Sequence, residues 1–256
     1  MLELNKTYLG DCFELMKDID DQSIDLILTD TPFNVIQAKW DVAIDLDQMW
    51  KHYKRIIKPN GCILMFATMP FTAILANSNI EWLKYDLVWE KTQASGFYNV
   101  QLMPLRAHET ILVFAPKITT YNPQKTYGHK PVNTYTKKAS VQNKTEVYGK
   151  VTKDISGGGE TDRYPRSVIK FKSDKQKNKL NGTIFSTQKP LALCENLIRQ
   201  YSNEGDIVLD PFAGSGTTGL GAKNTNRNFI MMEKELKHYE LIQHRFNLET
   251  KSDIIA

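Results

Sequence analysis

Short apolar runs alternate with amphipathic stretches along most of this 256-residue chain. Runs of about four to eight apolar and β-branched residues indicate buried strands, whereas apolar residues at every third or fourth position indicate helices. Seven strands are predicted, at Lys6–Leu9, Ile24–Thr29, Cys62–Ala67, Tyr85–Glu90, Thr110–Ala115, Asp206–Leu209 and Phe229–Glu233. Six helices are predicted, at Cys12–Ile19, Leu46–Ile57, Phe71–Asn77, Leu191–Tyr201, Thr217–Asn224 and Glu235–Asn247. This alternation predicts an α/β fold with a mostly parallel sheet between helical layers.

One predicted strand runs into a loop of small residues, Asp210-Pro-Phe-Ala-Gly-Ser-Gly216. Asp210 stands at the carboxyl end of the strand, where open α/β sheets bind their ligands. Gly214 and Gly216 allow a positive φ and a close approach of the backbone to a ligand. The chain has no Gly-Lys-Ser/Thr element, which disfavours a P-loop nucleotidase.

The helix and strand after this loop complete a cofactor-binding pattern. Thr217 and Thr218 can cap the helix and leave amide donors at the mouth of a site. Glu233 ends the next strand, where a carboxylate can hold the two hydroxyls of a ribose. A glycine turn alone occurs in any βαβ unit, so the interpretation depends on the loop, helix and acid-tipped strand together.

A second motif, Asp30-Thr-Pro-Phe33, follows the second predicted strand. The Asp30 carboxylate and the main-chain carbonyl of Thr31 could accept both N–H bonds of an exocyclic amine and direct its lone pair at a methyl donor. Pro32 stiffens the turn, and Phe33 could stack on a base rotated out of a duplex. The structural alternative is a strand-ending Asp followed by a proline turn and a core Phe.

The two motifs together resemble those of DNA amino-methyltransferases. Asp30–Phe33 is similar to the Asp/Asn/Ser-Pro-Pro-Tyr/Phe motif of that family, and Asp210–Gly216 is similar to its S-adenosylmethionine motif. The catalytic motif comes first, as in the circularly permuted β group of N6-adenine and N4-cytosine enzymes. Thr31 stands where the family usually has proline, so the turn is expected to be looser, although a main-chain carbonyl is still available there.

Other segments resemble the same group, in particular its phage and bacterial adenine-type members. They are Leu9–Cys12, Lys39–Asp41, Ile57–Gly61, Arg106–Glu109 and Thr187–Pro190. The resemblance covers nearly all of residues 1–116 and 187–247. It implies a Rossmann-like methyltransferase fold whose seven-stranded, mostly parallel sheet has one antiparallel strand near an edge.

The resemblance also implies a cofactor, S-adenosyl-L-methionine, and chemistry that needs no metal. The proposed cofactor residues are Asp11, Cys12, Asp30, Lys189, Asp210, Pro211, Phe212, Ala213, Gly214, Ser215, Gly216, Thr217, Thr218 and Glu233. The proposed catalytic residues are Asp30, Thr31, Pro32 and Phe33. Asp11 is expected near the adenine of the cofactor and Lys189 near its methionine end, although Lys189 could instead simply begin a helix with Pro190.

Charge is divided unevenly along the chain, although the formal net charge is only +4. Residues 117–180 carry 15 Lys and Arg against 5 Asp and Glu, a net of +10, and the remainder carries 18 against 24, a net of −6. Basic residues interleaved with aromatic ones suit a phosphate backbone and bases, whereas the alternative is a solvated insertion that its lysines keep soluble. The family keeps its target-recognition region at this position, which favours double-stranded DNA as the partner.

These observations divide one domain into a catalytic half (1–116), a basic target-recognition region (117–186) and a cofactor-binding half (187–256). The candidate DNA-binding residues are Lys39, Trp40, Arg106, His108, Lys125, His129, Lys130, Lys137, Lys138, Arg163 and Arg166. Arg106, His108 and Glu109 could line a base pocket or could instead hold the edge of the sheet together.

The cysteines Cys12, Cys62 and Cys194 are widely spaced, which predicts reduced, mostly buried thiols in a cytoplasmic protein. The chain starts without the pattern of a signal peptide, and no apolar run approaches membrane-spanning length, so no membrane partner is expected.

The favoured function is methylation of the N6 amine of adenine within a specific DNA sequence, after the base has been flipped from the duplex. N4-cytosine methylation is the alternative, because both amines present the same geometry to Asp30. An Asp in the first motif position favours adenine as a tendency of the family. An RNA methyltransferase and an inactive DNA-binding relative are less favoured. A homodimer and a restriction endonuclease partner are left open.

Overall fold

The computed structural model describes residues 2–32, 44–137, 144–145, 149–150, 155–174, 179–180, 183–184 and 188–252. Of the predicted site residues, Phe33, Lys39, Trp40 and Lys138 lie outside the described residues. Only the backbone of Lys137 is described.

The described residues form α-helices and strands, with two short 3-10 helices at Met16–Asp18 and Phe97–Asn99. The helices are α1 (Cys12–Leu15), α2 (Leu46–Ile56), α3 (Phe71–Ser78), α4 (Leu191–Tyr201), α5 (Thr217–Asn224) and α6 (Leu236–Ser252). The longer strands are β1 (Lys6–Leu9), β2 (Ile24–Thr29), β3 (Ile57–Ala67), β4 (Leu83–Ser95), β5 (Arg106–Phe114), β10 (Val168–Phe171), β13 (Ile207–Asp210) and β14 (Asn228–Glu233). The short strands between them are β6 (Tyr135–Lys137), β7 (Lys144–Thr145), β8 (Gly149–Lys150), β9 (Ile155–Gly157), β11 (Lys179–Leu180) and β12 (Thr183–Ile184).

Eight of these strands form the central sheet, in the order β1-β14-β13-β2-β3-β5-β4-β10. Strand β5 runs antiparallel to both of its neighbours, and every other adjacent pair is parallel. The mostly parallel α/β sheet predicted from the sequence is therefore confirmed. The carboxyl ends of β2, β13 and β14 meet at one edge, because these three strands are adjacent and parallel.

The predicted number of seven strands in this sheet is wrong by one, because β10 adds an eighth strand beside β4. Val168-Ile-Lys-Phe171 lies in a basic, polar stretch and alternates between exposed and half-buried residues, so its sequence lacks the apolar run of a buried strand. Its pairing is nevertheless supported by the Trp89 indole, which donates to the Phe171 carbonyl at 3.1 Å. An edge strand needs only one buried face, which explains the weak signal.

The strand at the centre of the sheet shows how the core is built. All six residues of β2 are buried. Ile24 and Ile27 pack in one apolar cluster, and Leu26 and Leu28 pack in a second. Such burial on both faces is expected of a parallel strand covered by helices on either side. It fixes the position of Asp30, which follows β2 directly.

The chain divides into two compact units, residues 1–122 with 167–256, and residues 123–166. Both junctions are held within the first unit. At one, the Asn122 amide donates to the Gln200 carbonyl at 2.7 Å, and the Asn122 side chain donates to the Ser202 carbonyl at 3.0 Å. At the other, the Ser167 carbonyl accepts a hydrogen bond from the Val88 amide at 2.8 Å. No helix within the described ranges is long and apolar enough to cross a membrane.

The predicted burial of the three cysteines is confirmed. Cys12, Cys62 and Cys194 are all buried and form no disulfide. Burial raises the pKa of Cys62 to about 12, so this thiol stays protonated and unreactive at neutral pH.

Candidate functional site

A cavity of about 500 Å³ opens at the edge of the sheet where β2, β13 and β14 end. Thirteen of the fourteen predicted cofactor residues line it, namely Asp11, Cys12, Asp30, Lys189, Asp210, Pro211, Phe212, Ala213, Gly214, Ser215, Thr217, Thr218 and Glu233. The fourteenth, Gly216, precedes α5 with a φ of 74° and stands outside the lining. A Cβ there would approach the Ile242 side chain at 3.0 Å, so Gly216 lets α6 pack against the loop.

Asp210 forms the floor of this cavity and is almost fully buried, with 4% of its surface exposed. Its Oδ1 atom accepts hydrogen bonds from the Thr29 hydroxyl at 2.9 Å and from the Phe212 amide at 3.1 Å. Burial nevertheless raises the pKa of Asp210 to about 6. A carboxylate held in this way is poised to stabilise a donor or a positive charge on a ligand.

Glu233 at the end of β14 anchors the glycine loop. Its two carboxylate oxygens accept hydrogen bonds at 2.8 Å from the Gly214 amide and the Glu235 amide. Gly214 itself has a φ of 51°, which lies in the left-handed region that favours glycine. The loop and the tip of β14 are therefore locked to each other, and Glu233 is held at the cavity wall with lone pairs still available to hydroxyl donors.

Asp11 lies at the rim of the cavity, at the amino end of α1. Its side chain accepts a hydrogen bond from the Phe13 amide at 2.9 Å and forms an ion pair with Lys234 at 3.2 Å. It therefore serves as the N-cap of α1 as well as a wall of the cavity.

The catalytic candidate Asp30 forms an ion pair with Lys189, which begins the segment before α4. The same ammonium lies 3.3 Å from a carboxylate oxygen of Glu109 on β5, and it stands 5.0 Å from the centre of the Phe66 ring. Only 10% of the Lys189 side chain is exposed. Lys189 therefore joins two carboxylates that come from different strands of the sheet.

A second lysine continues this chain of charges. Lys91 on β4 forms an ion pair with Glu109, and only 7% of its side chain is exposed. The four charges alternate in the order Asp30, Lys189, Glu109, Lys91, which we call the ionic chain. Buried charges of this kind are stable only when each has an opposite partner.

The two carboxylates of the ionic chain, Asp30 and Glu109, have pKa values that are shifted in opposite directions. Burial tends to raise the pKa of Glu109, but Lys189 and Lys91 outweigh it, so the pKa lies below its ordinary value. Asp30 pairs with Lys189 and shares that ammonium with Glu109. Burial and the negative charge of Glu109 therefore outweigh Lys189 and raise the pKa of Asp30 above its ordinary value. Burial disfavours the charged form of Lys189, yet its two carboxylate neighbours raise its pKa overall. Within the ionic chain, Asp30 thus takes up a proton more readily than Glu109 does.

Asp30 retains an unused acceptor. Its Oδ1 atom is buried and has no hydrogen-bond partner among the described residues, as is also true of the Thr31 hydroxyl. Thr31 is 2% exposed and does not line the cavity, whereas Pro32 does. A buried carboxylate oxygen without a hydrogen-bond donor has lost its hydration without compensation. A donor from a ligand would therefore stabilise it.

The predicted DNA-binding residues fall into two groups. Arg106 and His108 are exposed on β5, in the first unit. In the second unit Lys130, His129 and Arg166 are also exposed. The other two whose side chains the structure describes, Lys125 and Arg163, make contacts within that unit.

Lys125 and Arg163 make internal contacts. Lys125 pairs with Asp162 at 2.8 Å and lies 4.2 Å from the centre of the Tyr164 ring. Arg163 donates to the main-chain carbonyls of Glu160 at 3.0 Å and Asp162 at 2.7 Å, and to that of Lys130. These two cations hold the short unit together, so their assignment to DNA remains a prediction.

Several residues of the site were not expected from the sequence. Lys91, Phe66 and Lys234 belong to no predicted site motif. Gln188 lies in the predicted segment Thr187–Pro190 but was assigned no role of its own, and Glu109 was assigned only as part of a segment with two alternative roles. Lys91 stands in an alternating polar stretch typical of an exposed strand, so only its pairing across β4 and β5 reveals its burial. Gln188 is 5% exposed and could have been inferred from its place next to Lys189.

The fold and the acid-lined cavity define a Rossmann-like α/β protein that binds a small ligand at the carboxyl edge of its sheet. A family of N6/N4 methyltransferases, described as DNA methylase, matches residues 24–244. The chain belongs to this family of DNA methylases.

Relatives and solved structures agree with this assignment. The type II methyltransferase M.HinfI of Haemophilus influenzae is 29% identical to the chain, and the match covers 94% of this chain and 68% of M.HinfI. The type II methyltransferase M1.MboII of Moraxella bovis is also 29% identical, and the match covers 90% of this chain and 92% of M1.MboII. A crystal structure of an M1.HpyAVI–SAM complex is 26% identical, covers 94% of this chain and 97% of its own, and has a TM-score of 0.59. The cytosine-N4-specific PvuII DNA methyltransferase, at 19% identity and a TM-score of 0.67 over 94% of this chain and 86% of its own, shares the fold.

Proposed function

We propose that this protein transfers a methyl group from S-adenosylmethionine to the N6 amine of adenine in double-stranded DNA, at a specific sequence. Its membership of the N6/N4 family of DNA methyltransferases supports the reaction class. The observation that carries the proposal is Asp30, which lines the cavity and whose buried Oδ1 atom has no hydrogen-bond partner among the described residues. An exocyclic amine supplies the donor that this oxygen lacks.

The residues of the cavity fit the cofactor. A volume of about 500 Å³ lies in the usual range for a small-molecule site. Asp11, Asp210 and Glu233 supply acceptors for ribose hydroxyls, amines and positive charge, and the glycine loop allows close approach of the ligand. S-adenosylmethionine, when bound, supplies an electrophilic methyl group on a positively charged sulfur. M1.HpyAVI, a relative by structure, is described as a complex with this molecule.

Asp30 and Thr31 are proposed to hold the amine of the flipped base. The Asp30 Oδ1 atom accepts one N–H and the Thr31 carbonyl accepts the other, which leaves the nitrogen lone pair free to attack the methyl carbon. The nitrogen gains the methyl group and carries a positive charge until one of its protons leaves, and Asp30 can take that proton. Most of the rate enhancement comes from holding the amine and the methyl group in line.

Lys189 is proposed to orient Asp30. Its ammonium holds the Oδ2 side of the carboxylate, so the Oδ1 side is left for the amine. The Glu109 carboxylate, fixed by Lys91, holds Lys189 in turn. The cofactor role predicted for Lys189 and its role toward Asp30 are compatible, because its side chain also lines the cavity.

Adenine is proposed ahead of cytosine because Asp in the first position of the motif favours adenine as a tendency of the family. N4-cytosine methylation is the second candidate, since its amine presents the same two N–H bonds to Asp30. The exposed residues Lys130, His129 and Arg166 are proposed to contact the DNA backbone, and the region 117–186 is proposed to recognise the target sequence.

One experiment tests these assignments. Unmethylated DNA is incubated with the protein and S-adenosylmethionine labelled in the methyl group, digested to nucleosides, and the labelled nucleoside is identified. We expect N6-methyladenine, and sequencing around the modified bases defines the site. Label in N4-methylcytosine would instead support the second candidate, N4-cytosine methylation. Cofactor binding without methyl transfer to DNA would indicate an inactive relative.

A further inference from the structure

The hairpin of β4 and β5 extends beyond the cavity as an exposed projection. We call residues 92–108 the arm. Its tip, Gly96–Leu105, has no charged residue, and its large apolar side chains are turned toward solvent. Tyr98 is fully exposed, and 82% of Leu102 and 67% of Phe97 are exposed. Large apolar patches of this kind usually mark a binding surface.

The sheet places the arm at the same edge as Asp30. Strand β4 runs in the direction of β2 and β3, because β5 is antiparallel to both β3 and β4. Its carboxyl end at Ser95 therefore lies at the edge where β2 ends in Asp30. Ser95 pairs with Arg106, three residues before Glu109, so the base of the tip stands about 10 Å beyond the ionic chain.

The arm combines an apolar, aromatic tip, which suits the interior of a base stack, with polar residues on β5, which suit the DNA backbone. The aromatic side chains Phe97 and Tyr98 stand together at the tip, where Gly96 with a φ of 93° reverses the chain. Arg106, an exposed cation, and His108, an exposed hydrogen-bonding side chain, follow the tip on β5. Apolar wedges in DNA-binding proteins enter between bases, while cations beside them contact the backbone.

We infer that the arm is a wedge: Phe97 and Tyr98 enter the duplex at the position that the target base leaves when it moves to Asp30. This inference rests on the proposed function, because only a site that must receive an extracted base needs such a wedge. Filling the gap replaces part of the stacking lost when the base rotates out, which otherwise costs a few kcal/mol. The exposure of the arm in the free protein is then explained by its DNA partner.

The test uses duplexes that carry the methylated sequence found with labelled cofactor, with the target base either correctly paired or mispaired. The free energy needed to rotate a base out of the stack is lower when the base is mispaired, so methylation of a mispaired base should depend less on a wedge. We expect the double variant F97A/Y98A to lose at least tenfold in kcat/KM on the paired duplex and to come within threefold of the wild type on the mispaired one. With 2-aminopurine at the target position, its fluorescence on binding is expected to rise less than with the wild type.

The matched control is Ile80→Ala. Ile80 is 67% exposed, like Phe97, but it precedes β4 and so lies at the opposite edge of the sheet. This variant should act like the wild type on both duplexes, and thermal melts should show that all three proteins are folded. An equal loss on paired and mispaired DNA, or no loss on either, would overturn the wedge. A third outcome is that the wild type forms a dimer, the double variant does not, and the mispaired duplex restores no activity to the variant. This outcome would show that the arm binds a second copy of the chain instead of DNA.

The activity of the wild type distinguishes a failure of the wedge inference from a failure of the proposed function. If the wild type transfers no methyl group to either duplex, the proposed function fails before the wedge is tested. If it methylates cytosine, the wedge is tested at that base in the same way.

Discussion

The ammonium of Lys189 lies against the carboxylate of Asp30, although the two residues stand 159 positions apart in the chain. Asp30 follows β2 and Lys189 precedes α4, so their contact joins the amino-terminal and carboxyl-terminal segments of the first unit at the cavity. The catalytic candidate Asp30 is thus paired with a residue from the segment that precedes α4.

Replacing Asp30 with Ala should lower kcat at least a hundredfold, because the amine loses both an oriented acceptor and the group that receives its proton. The affinity for S-adenosylmethionine should stay within a few-fold of the wild type. Single-turnover methylation and calorimetric titration of the cofactor measure the two effects separately. Full activity in this variant would exclude the proposed role of Asp30.

Replacing Lys189 with Met should move the acid limb of the pH profile of kcat/KM to higher pH. Asp30 must be ionised to accept the amine, and loss of the neighbouring ammonium raises the pKa at which it ionises. Lys189→Arg keeps the charge and should leave the limb near its wild-type position. Superimposable profiles for the Met and Arg variants would show that Lys189 does not act on Asp30.

Replacing Glu109 with Gln should move the same limb in the opposite direction, to lower pH. The Glu109 charge raises the pKa of Asp30, and its removal also leaves Lys189 wholly to Asp30. Lys91 then loses its ion-pair partner in a buried position, so the free energy of unfolding should fall by about 3 kcal/mol. The profile must therefore be measured well below the melting temperature of the variant.

Replacing Gly214 with Val should abolish cofactor binding. Gly214 has a φ of 51° and lines the cavity, so a β-branched residue both strains the loop and enters the site. Gly205→Val is the matched control, since Gly205 also has a positive φ, 83°, but stands before β13 at the other edge of the sheet. Both variants should lose stability, and only Gly214→Val should lose binding in a titration with S-adenosylmethionine. Equal affinities would remove the glycine loop from the cofactor site.

Replacing Lys130 and Arg166 with Gln should flatten the salt dependence of DNA binding. Each phosphate contact contributes about 0.9 to the slope of log K against log salt, so loss of two contacts should reduce it by about 2. Arg163→Met serves as a contrast, because Arg163 donates to three main-chain carbonyls, and its loss should mainly destabilise residues 123–166. Fluorescence anisotropy at several salt concentrations measures the slope, and an unchanged slope would place the phosphate contacts elsewhere.

The sequence predicted the central sheet well because burial on both faces leaves an unmistakable apolar run, as in β2. It also predicted which residues surround the cavity, since strand ends and glycine loops have local signatures. It could not predict that Glu109 and Lys91 are buried, because they stand in alternating strands whose exposure depends on neighbours far along the chain. β10 was missed for the same reason, since only its pairing with β4 distinguishes it from a loop.

The two junctions at Asn122 and Ser167 have an evolutionary consequence. Each is fixed by hydrogen bonds inside the first unit, and none of the residues that the structure describes between them lines the cavity. We therefore expect that residues 123–166 can be exchanged between related chains while the cavity is left intact. We expect recombination at these two points to alter the proposed target recognition while the cavity is retained.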